Sequence, residues 1–103
     1  MKKSHFFVGQ IVDHKKFGYR GVVLSVDAVF GLSDEWYEEV AKSRPPKDEP
    51  WYHVIVDRAM HVTYVAERHL DASTDLSQIE HPQLGEYFDG FDGVRYLPNT
   101  PMH

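Results

Sequence analysis

Short runs of apolar residues alternate with polar ones along the chain, which is the period-two pattern of β-strands. Two β-branched runs, 10–13 and 19–26, flank Lys15-Lys16-Phe17-Gly18 and predict a hairpin in which Gly18 permits the turn. Further runs at 50–57 and 61–66 predict a second antiparallel pair. The pattern therefore predicts a mainly β protein, a small and partly open barrel of four or five strands.

Two helical signals interrupt the strands. Ser33 precedes Asp34 and Glu35, so its hydroxyl can cap a free amide while the carboxylates favour the positive end of the helix dipole. This helix is predicted to run to about Lys42, before the three prolines of 43–50 force an extended connector. Near the C-terminus, apolar residues recur at helical spacing after Pro82, but nearby glycines limit this element to a short helical turn and an irregular return.

The central strand, 50–57, is apolar on both faces, unlike an exposed edge strand. One face holds Tyr52, Val54 and Val56, and the other holds Trp51, His53 and Ile55. If 58–60 is the loop to the next strand, Val54 lies opposite Tyr64 and Asp57 lies opposite His61. This register makes one continuous apolar face and leaves the face of Trp51, His53 and Ile55 to be covered by something else.

The sequence offers two candidates that could cover that face. Both are compatible with the single domain that we predict over 1–103. The first is the C-terminal segment, about 71–98, which would close over a barrel formed by about 6–70. Its apolar set is Leu84, Tyr87, Phe88 and Phe91. The second is another copy of the chain, which would make a homo-oligomer. We favour the C-terminal segment, whose release would expose Trp51 and Ile55 as a docking surface for a protein.

Composition limits the compartment and the chemistry. The 103 residues contain no cysteine, so neither disulfides nor thiolate metal sites are available. The apolar run near the N-terminus, residues 6–8, is too short for a signal peptide or a membrane span. We therefore expect a cytoplasmic protein that does not enter membranes.

The net charge of −5 is unevenly distributed along the chain. Residues 1–20 carry five basic residues and one acidic residue, whereas 71–92 carries six carboxylates and neither lysine nor arginine. The acidic part should repel nucleic acid. The candidate nucleic-acid-binding element is therefore the first hairpin tip, with Lys15, Lys16 and Arg20 on phosphate and Tyr19 for stacking. The alternative is a solvated turn whose lysines protect a strand edge.

No catalytic motif is found among the seven histidines and sixteen carboxylates. His53, His61 and His69 form the one set that could converge on a divalent metal, which would make the chain a metal-dependent enzyme. In the predicted register, His53 and His61 are about 13 Å apart along the strands, too far for shared ligation. We therefore predict no catalytic residue, no metal and no cofactor.

Several motifs, taken together and in order, resemble one family over about 6–98. They are Phe17-Gly18-Tyr19-Arg20-Gly21-Val22-Val23, Pro50-Trp51-Tyr52-His53-Val54 and Thr63-Tyr64-Val65-Ala66-Glu67. The chain is similar to the YccV-like family, also called heat shock protein HspQ or hemimethylated-DNA-binding protein. Residues 81–99 are also similar to the end of this module in some eukaryotic F-box proteins.

The resemblance implies a small SH3-like barrel without enzymatic activity and with two kinds of partner. One partner is hemimethylated double-stranded DNA, whose binding restrains expression of the replication initiator. The other is the Lon protease or its substrates, because family members are described as modifying the substrate choice of Lon. The F-box relatives belong to ubiquitin ligases, so protein turnover appears in both settings. A purely protein-binding adaptor is therefore the alternative to a DNA-binding module.

Overall fold

Five antiparallel strands form the main sheet of the protein, whose computed structural model describes residues 4–99. In chain order the elements are β1 (Ile11–His14), β2 (Arg20–Asp27), α1 (Asp34–Val40), β3 (Trp51–Val56), β4 (Val62–Ala66), a 3-10 turn (Glu67–His69), β5 (Leu70–Ala72), α2 (Leu84–Tyr87), β6 (Phe88–Phe91) and β7 (Tyr96–Pro98). The sheet order is β4-β3-β2-β1-β5, and β6 pairs with β7 as a separate hairpin. The sheet is not closed, and the prediction of a mainly β, open barrel-like fold is confirmed. The longest helix in residues 4–99 has seven residues, so none of the described helices could span a bilayer.

Strands β1 and β2 form the predicted hairpin, with Ile11 opposite Val22. Gly18 has a φ of +75°, a conformation that favours glycine, and its amide donates to the His14 carbonyl oxygen at 2.9 Å. The observed strands begin one residue later than the predicted ones. The three-residue strand β5, which pairs with the other side of β1, was not predicted.

Helix α1 begins at the predicted cap. The Trp36 amide donates to Ser33 Oγ at 3.1 Å, and Asp34 and Glu35 occupy the first turn. The helix ends at Val40, two residues before the predicted end. The proline-rich connector that follows holds the aromatic residues of α1 against β3.

The register of β3 against β4 is one residue away from the predicted one, so that prediction is wrong. Val54 lies opposite Thr63, and His53 lies opposite Tyr64. Tyr64 therefore shares a face with His53 and Trp51. Its ring stacks on the Trp51 ring at a centroid distance of 5.2 Å.

Asp57 explains the shift in register. Instead of facing His61, its carboxylate pairs with Arg20 Nη2 at 3.2 Å and accepts the Glu80 amide proton at 2.7 Å. These contacts draw Asp57 out of the strand pair, and the amide of the preceding residue donates to the His61 carbonyl oxygen instead. The loop therefore contains four residues, 57–60, rather than the predicted three.

The C-terminal segment covers Ile55, as predicted, but partly with other residues. The cluster consists of Ile11, Val22, Ile55, Ile79, Phe88 and Tyr96. Each of these side chains is at most 5% exposed. Leu84 and Phe91 pack against the cluster, whereas Tyr87 is 40% exposed and does not join it. The predicted irregular return is instead the β6-β7 hairpin, whose first residue in β7, Tyr96, is buried.

A different element covers Trp51, so the prediction that the C-terminal segment covers the whole face is wrong there. Trp51 is 1% exposed and contacts rings from α1 and the residues before it, including Phe30 at a centroid distance of 4.9 Å. Its indole N–H donates to the Pro46 carbonyl oxygen at 3.0 Å, and the Tyr37 hydroxyl donates to the Pro45 carbonyl oxygen at 2.7 Å. The connector prolines therefore close the aromatic cluster over β3.

Candidate nucleic-acid interface and adjoining groove

The turn between β1 and β2 presents Lys15, Lys16 and Phe17 to solvent. Phe17 is 69% exposed, and its ring stacks on the His14 ring at a centroid distance of 4.6 Å. The His14 Nδ1 atom accepts the amide protons of Lys16 and Phe17, both at 3.1 Å. An unprotonated nitrogen on this ring therefore helps to shape the turn.

A third cation, Arg68, belongs to the 3-10 turn, which lies beside the turn between β1 and β2. The Lys15 amide donates to the His69 carbonyl oxygen at 2.8 Å, and the His14 and His69 rings stack at 5.7 Å. Burial, with the charges of Arg68, Lys16 and Lys15, lowers the pKa of His69. Burial, with His69 and Lys16 nearby, likewise lowers the pKa of His14. Lys15, Lys16, Phe17 and Arg68, here called the basic tip, therefore form a region that favours bound anions.

The lysines of the basic tip make only weak contacts within the protein. The Lys15 ammonium is 3.7 Å from Asp71 Oδ1, and both side chains of this pair are about half exposed or more. The Lys16 ammonium lies 5.6 Å from the centroid of the Phe17 ring. Exposed pairs of this kind contribute about 1 kcal/mol or less, so a phosphate can replace them.

The other two predicted nucleic-acid-binding side chains, Tyr19 and Arg20, are engaged inside the protein. The Tyr19 hydroxyl lies 2.9 Å from Thr63 Oγ1, and burial raises the pKa of Tyr19. The Arg20 side chain is 14% exposed, and its Nη1 donates to the carbonyl oxygens of Asp75 and Ser77, both at 2.7 Å. Since the guanidinium is already used, its predicted role on phosphate does not fit the structure.

Arg20→Ala should destabilise the fold by about 2 to 4 kcal/mol. The substitution leaves the Asp57 carboxylate, 10% exposed, without its cation, and it removes the donor to two carbonyl oxygens. Urea unfolding followed by tryptophan fluorescence measures the change. Lys16→Ala is the control and should stay within about 0.5 kcal/mol of the parent. If the Arg20→Ala protein had the same free energy of unfolding as the parent, Arg20 would again be a candidate for binding phosphate.

A groove of about 800 Å³ opens beside the basic tip. It lies between α1 with the residues that follow, strand β4 and the tip itself. Val40 of α1, which lines the groove, is 55% exposed, and Trp36 and Tyr64 contribute half-buried rings. The groove is therefore a concave surface with apolar walls, and its size suits a small ligand or a short peptide segment.

The predicted docking face of Trp51, His53 and Ile55 is mostly closed. Trp51 and Ile55 are 1% and 0% exposed, so neither offers a free surface. His53 is half-buried and lines the groove, with its Nδ1 atom 2.9 Å from Ser25 Oγ and its ring 4.4 Å from the Tyr64 ring. The accessible apolar surface belongs to α1 and β4 instead.

The three histidines considered as metal ligands have separate surroundings. His53 lies beside Ser25, and His69 Nε2 is 2.9 Å from Ser43 Oγ. His61 is exposed at the start of the β4 region. Across residues 4–99, no three His, Asp or Glu side chains come together in a way that could hold a metal ion.

The sequence reasoning left Phe17 and Arg68 out of the site, for different reasons. Phe17 lies in a turn between a lysine and Gly18, where its side chain cannot pack into the core. Its exposure could therefore have been predicted from the sequence. Arg68 lies near the tip only because β5, which directly follows the 3-10 turn, pairs with β1. That contact links residues far apart in sequence, and no local pattern predicts it.

Comparison with known proteins agrees with this fold and these motifs. The chain matches the family model "Hemimethylated DNA-binding protein YccV like" over residues 4–95. It is 29% identical over 99 residues to F-box only protein 21 of Homo sapiens and of Pongo abelii, and 28% identical to that of Mus musculus. Each alignment covers 94% of this chain but 16% of the relative, so the chain spans about one sixth of these proteins. Because the family model covers nearly the whole described chain, the protein belongs to the YccV-like family.

Proposed function

We propose that this chain is a non-catalytic module that binds duplex DNA through the basic tip, in the cytoplasm. The observation that carries the proposal is the pair of exposed lysines, Lys15 and Lys16, beside the exposed Phe17 ring. Arg68 adds a third cation on the 3-10 turn that is hydrogen-bonded to the same turn. Cationic side chains release counterions from the phosphates, and an exposed ring can contact a base edge or a sugar. The description of the family as hemimethylated-DNA-binding supports the same partner.

Charge outside the tip favours one docking orientation. Residues 21–103 carry fifteen acidic and six basic residues, and one of those six, Arg68, belongs to the tip. Faces rich in carboxylates repel the duplex, so the tip is the part of the surface that approaches it. Contact through a few cations also predicts binding that weakens with salt but less steeply than for strongly basic proteins.

Recognition of a single methyl group contributes little by contact alone. Burying one carbon stabilises a complex by about 0.8 kcal/mol, which is roughly fourfold in affinity. Phe17 is the apolar side chain of the tip that would make this contact. A larger preference for hemimethylated DNA would require the duplex to deform differently in its methylated states.

Titration of a fluorescently labelled duplex at several salt concentrations tests the proposal. Three cations at roughly −0.9 each predict a slope of log affinity against log salt of about −3. Lys15→Glu with Lys16→Glu should reduce the size of that slope by about two units. Hemimethylated and unmethylated duplexes of one sequence should differ by about fourfold.

Arg58→Glu with Arg95→Glu is the matched control, because it makes the same change in net charge at exposed arginines outside the tip. This control should leave the slope nearly unchanged. An equal loss of slope in both double variants would mean that binding follows net charge and has no site. Undetectable binding at low salt would reject DNA as the partner.

A protein partner is the second candidate, favoured by the apolar groove between α1 and β4. The relatives that carry this module are F-box only proteins, and the family resemblance implies a link to Lon-type proteolysis. An adaptor needs a surface that accepts a segment of another protein, and the groove supplies one with exposed Val40 and the rings of Trp36 and Tyr64. We propose that the module uses the tip for DNA and the groove for protein.

A further inference from the structure

Strand β4 lies at the edge of the sheet, with β3 as its neighbour on one side. The Val56 amide donates to the His61 carbonyl oxygen, and the Glu67 amide donates to the Pro50 carbonyl oxygen. In an antiparallel pair, hydrogen-bonded positions alternate with positions whose amides and carbonyls point outward. The register of β3 and β4 therefore directs the backbone groups of Val62, Tyr64 and Ala66 away from the sheet. Ala66 is only 3% exposed, so the outward groups that a partner can reach are those of Val62 and Tyr64.

The sequence of the β4 edge lacks the residues that commonly discourage pairing. Its sequence, Val62-Thr63-Tyr64-Val65-Ala66, contains neither charge, proline nor glycine. The opposite edge, β5, is only three residues long and carries Asp71, whose carboxylate lies near Lys15. One edge of the sheet is thus blocked in the way that soluble proteins ordinarily block edges, and the other is left available.

The available edge lies in a groove with a distinct charge. Six basic or titratable nitrogen side chains line it: Lys16, Lys42, His14, His53, His61 and His69. Neither aspartate nor glutamate is among the lining residues, although the protein as a whole has a net charge of −5. The apolar walls and this charge together select an occupant that is apolar on alternate residues and acidic on others.

We propose that β4 binds an extended, acidic and apolar segment of another protein by strand addition, with the segment lying in the groove as a sixth strand. The accessible part of β4, residues 62–64, extends over about 10 Å, enough to pair with a short extended segment. Main-chain hydrogen bonds to Val62 and Tyr64 supply affinity, and the groove selects side chains. The inference rests on the proposed protein partner and does not require DNA binding, although Lys16 and Phe17 of the basic tip also line the groove.

A second copy of the chain is a poorer occupant than an acidic segment. Two copies paired through β4 would bring their grooves together, so that Lys16 and Lys42 of each copy would face like charges with no carboxylate in either lining. A DNA duplex is a poorer occupant as well, because it offers no peptide backbone to pair with the outward groups of β4. An acidic extended segment satisfies the outward amides, the apolar walls and the charge at once.

Selection from a displayed library of random octapeptides on the full chain identifies a probe. Enriched octapeptides should be acidic overall, with apolar residues at every second position. Backbone N-methylation along one enriched octapeptide should then weaken binding about tenfold or more at alternate residues and only slightly between them. An effect at every second residue of the octapeptide is specific to strand addition. The experiment that detects it uses the unaltered protein.

Two protein variants locate the site. Val62→Pro removes an outward amide and no bond to β3, and proline is tolerated at the first residue of an edge strand. It should weaken the octapeptide at least tenfold while leaving DNA binding at the tip unchanged. Lys42→Glu should weaken the acidic octapeptide several-fold, whereas Arg58→Glu, the same charge change outside the groove, should not.

Several outcomes would overturn the inference. Octapeptides that bind without a two-residue period, or that bind Val62→Pro equally well, would keep a protein partner but reject strand addition. Failure to enrich any octapeptide would reject the groove as a peptide site altogether. A chain that dimerises in sedimentation experiments, and becomes monomeric in Val62→Pro, would identify a second copy as the occupant. Displacement of a bound octapeptide by duplex DNA from Lys15→Glu, Arg68→Glu protein, in which the groove lining is unchanged, would assign the groove to DNA.

Discussion

Truncation of the chain after Ser77 is expected to give a protein that is unfolded at room temperature. The deletion removes Ile79, Phe88 and Tyr96, three of the six buried members of the cluster around Ile55. Loss of one large buried side chain costs about 2 to 5 kcal/mol, and the whole stability of a small domain is about 5 to 15 kcal/mol. Three such losses together exceed what the remaining sheet can supply.

Polar contacts of the same segment strengthen this expectation. The Ile79 amide donates to the Tyr96 hydroxyl at 2.7 Å in a buried position. The Glu80 amide donates to the Asp57 carboxylate, which also pairs with Arg20. Deletion would leave Asp57 and the end of β3 without partners that set the register of the sheet. The C-terminal segment is therefore expected to be part of the core and not a releasable cover.

Circular dichroism and thermal melting of the truncated chain measure the outcome. Two substitutions in the full chain show how much single side chains of this segment contribute to stability. Phe88→Ala, at a buried site, should cost about 3 to 5 kcal/mol. Tyr87→Ala, at a site that is 40% exposed, should cost less than about 1 kcal/mol. A truncated chain that stays folded, binds an apolar dye and exposes Trp51 would restore the regulated-cover hypothesis.

Features set by neighbouring residues were predictable from the sequence. The β1-β2 hairpin follows from Gly18 between two β-branched runs, and the start of α1 follows from Ser33 before two carboxylates. The second apolar face of β3 correctly indicated that another segment covers it, and the C-terminal segment covers it at Ile55 but not at Trp51. Gly18 and Ser33 each lie within a few residues of the element that they specify, so a local pattern is enough to predict that element.

Features set by distant partners were not predictable in this way. The register of β3 and β4 depends on Asp57 contacting Arg20 and Glu80, which lie 37 and 23 residues away. Pattern alone favoured the register with one continuous apolar face, because it took no account of an ion pair between loops. The same ion pair removed Arg20 from the predicted DNA-binding set. One long-range polar contact thus accounts for the error in register and also occupies a residue of the predicted site.

The N-terminal segment is joined to the C-terminal hairpin at Gly9. The Gly9 amide donates to the Val23 carbonyl oxygen at 2.8 Å, and the Gly9 carbonyl oxygen accepts the Tyr96 amide proton at 2.8 Å. Gly9 has a φ of +92°, which L side chains rarely adopt. A Cβ atom at this position would lie 2.0 Å from the Tyr96 carbonyl oxygen, a distance that requires the backbone to separate.

Gly9→Ala should therefore destabilise the protein by about 3 kcal/mol or more, through backbone strain and through the loss of buried hydrogen bonds to β7. Two other glycines separate these causes. Gly18→Ala has a φ of +75° but open space around the new Cβ, so it should show the strain alone, about 1 to 2 kcal/mol. Gly85→Ala has neither problem and lies in α2, so it should be neutral or slightly stabilising. Urea unfolding of the three variants gives the ranking. If Gly9→Ala lowered the free energy of unfolding no more than Gly18→Ala does, the β6-β7 hairpin would be able to move away from Gly9 at little cost. That result would also argue against the C-terminal segment being a fixed part of the core.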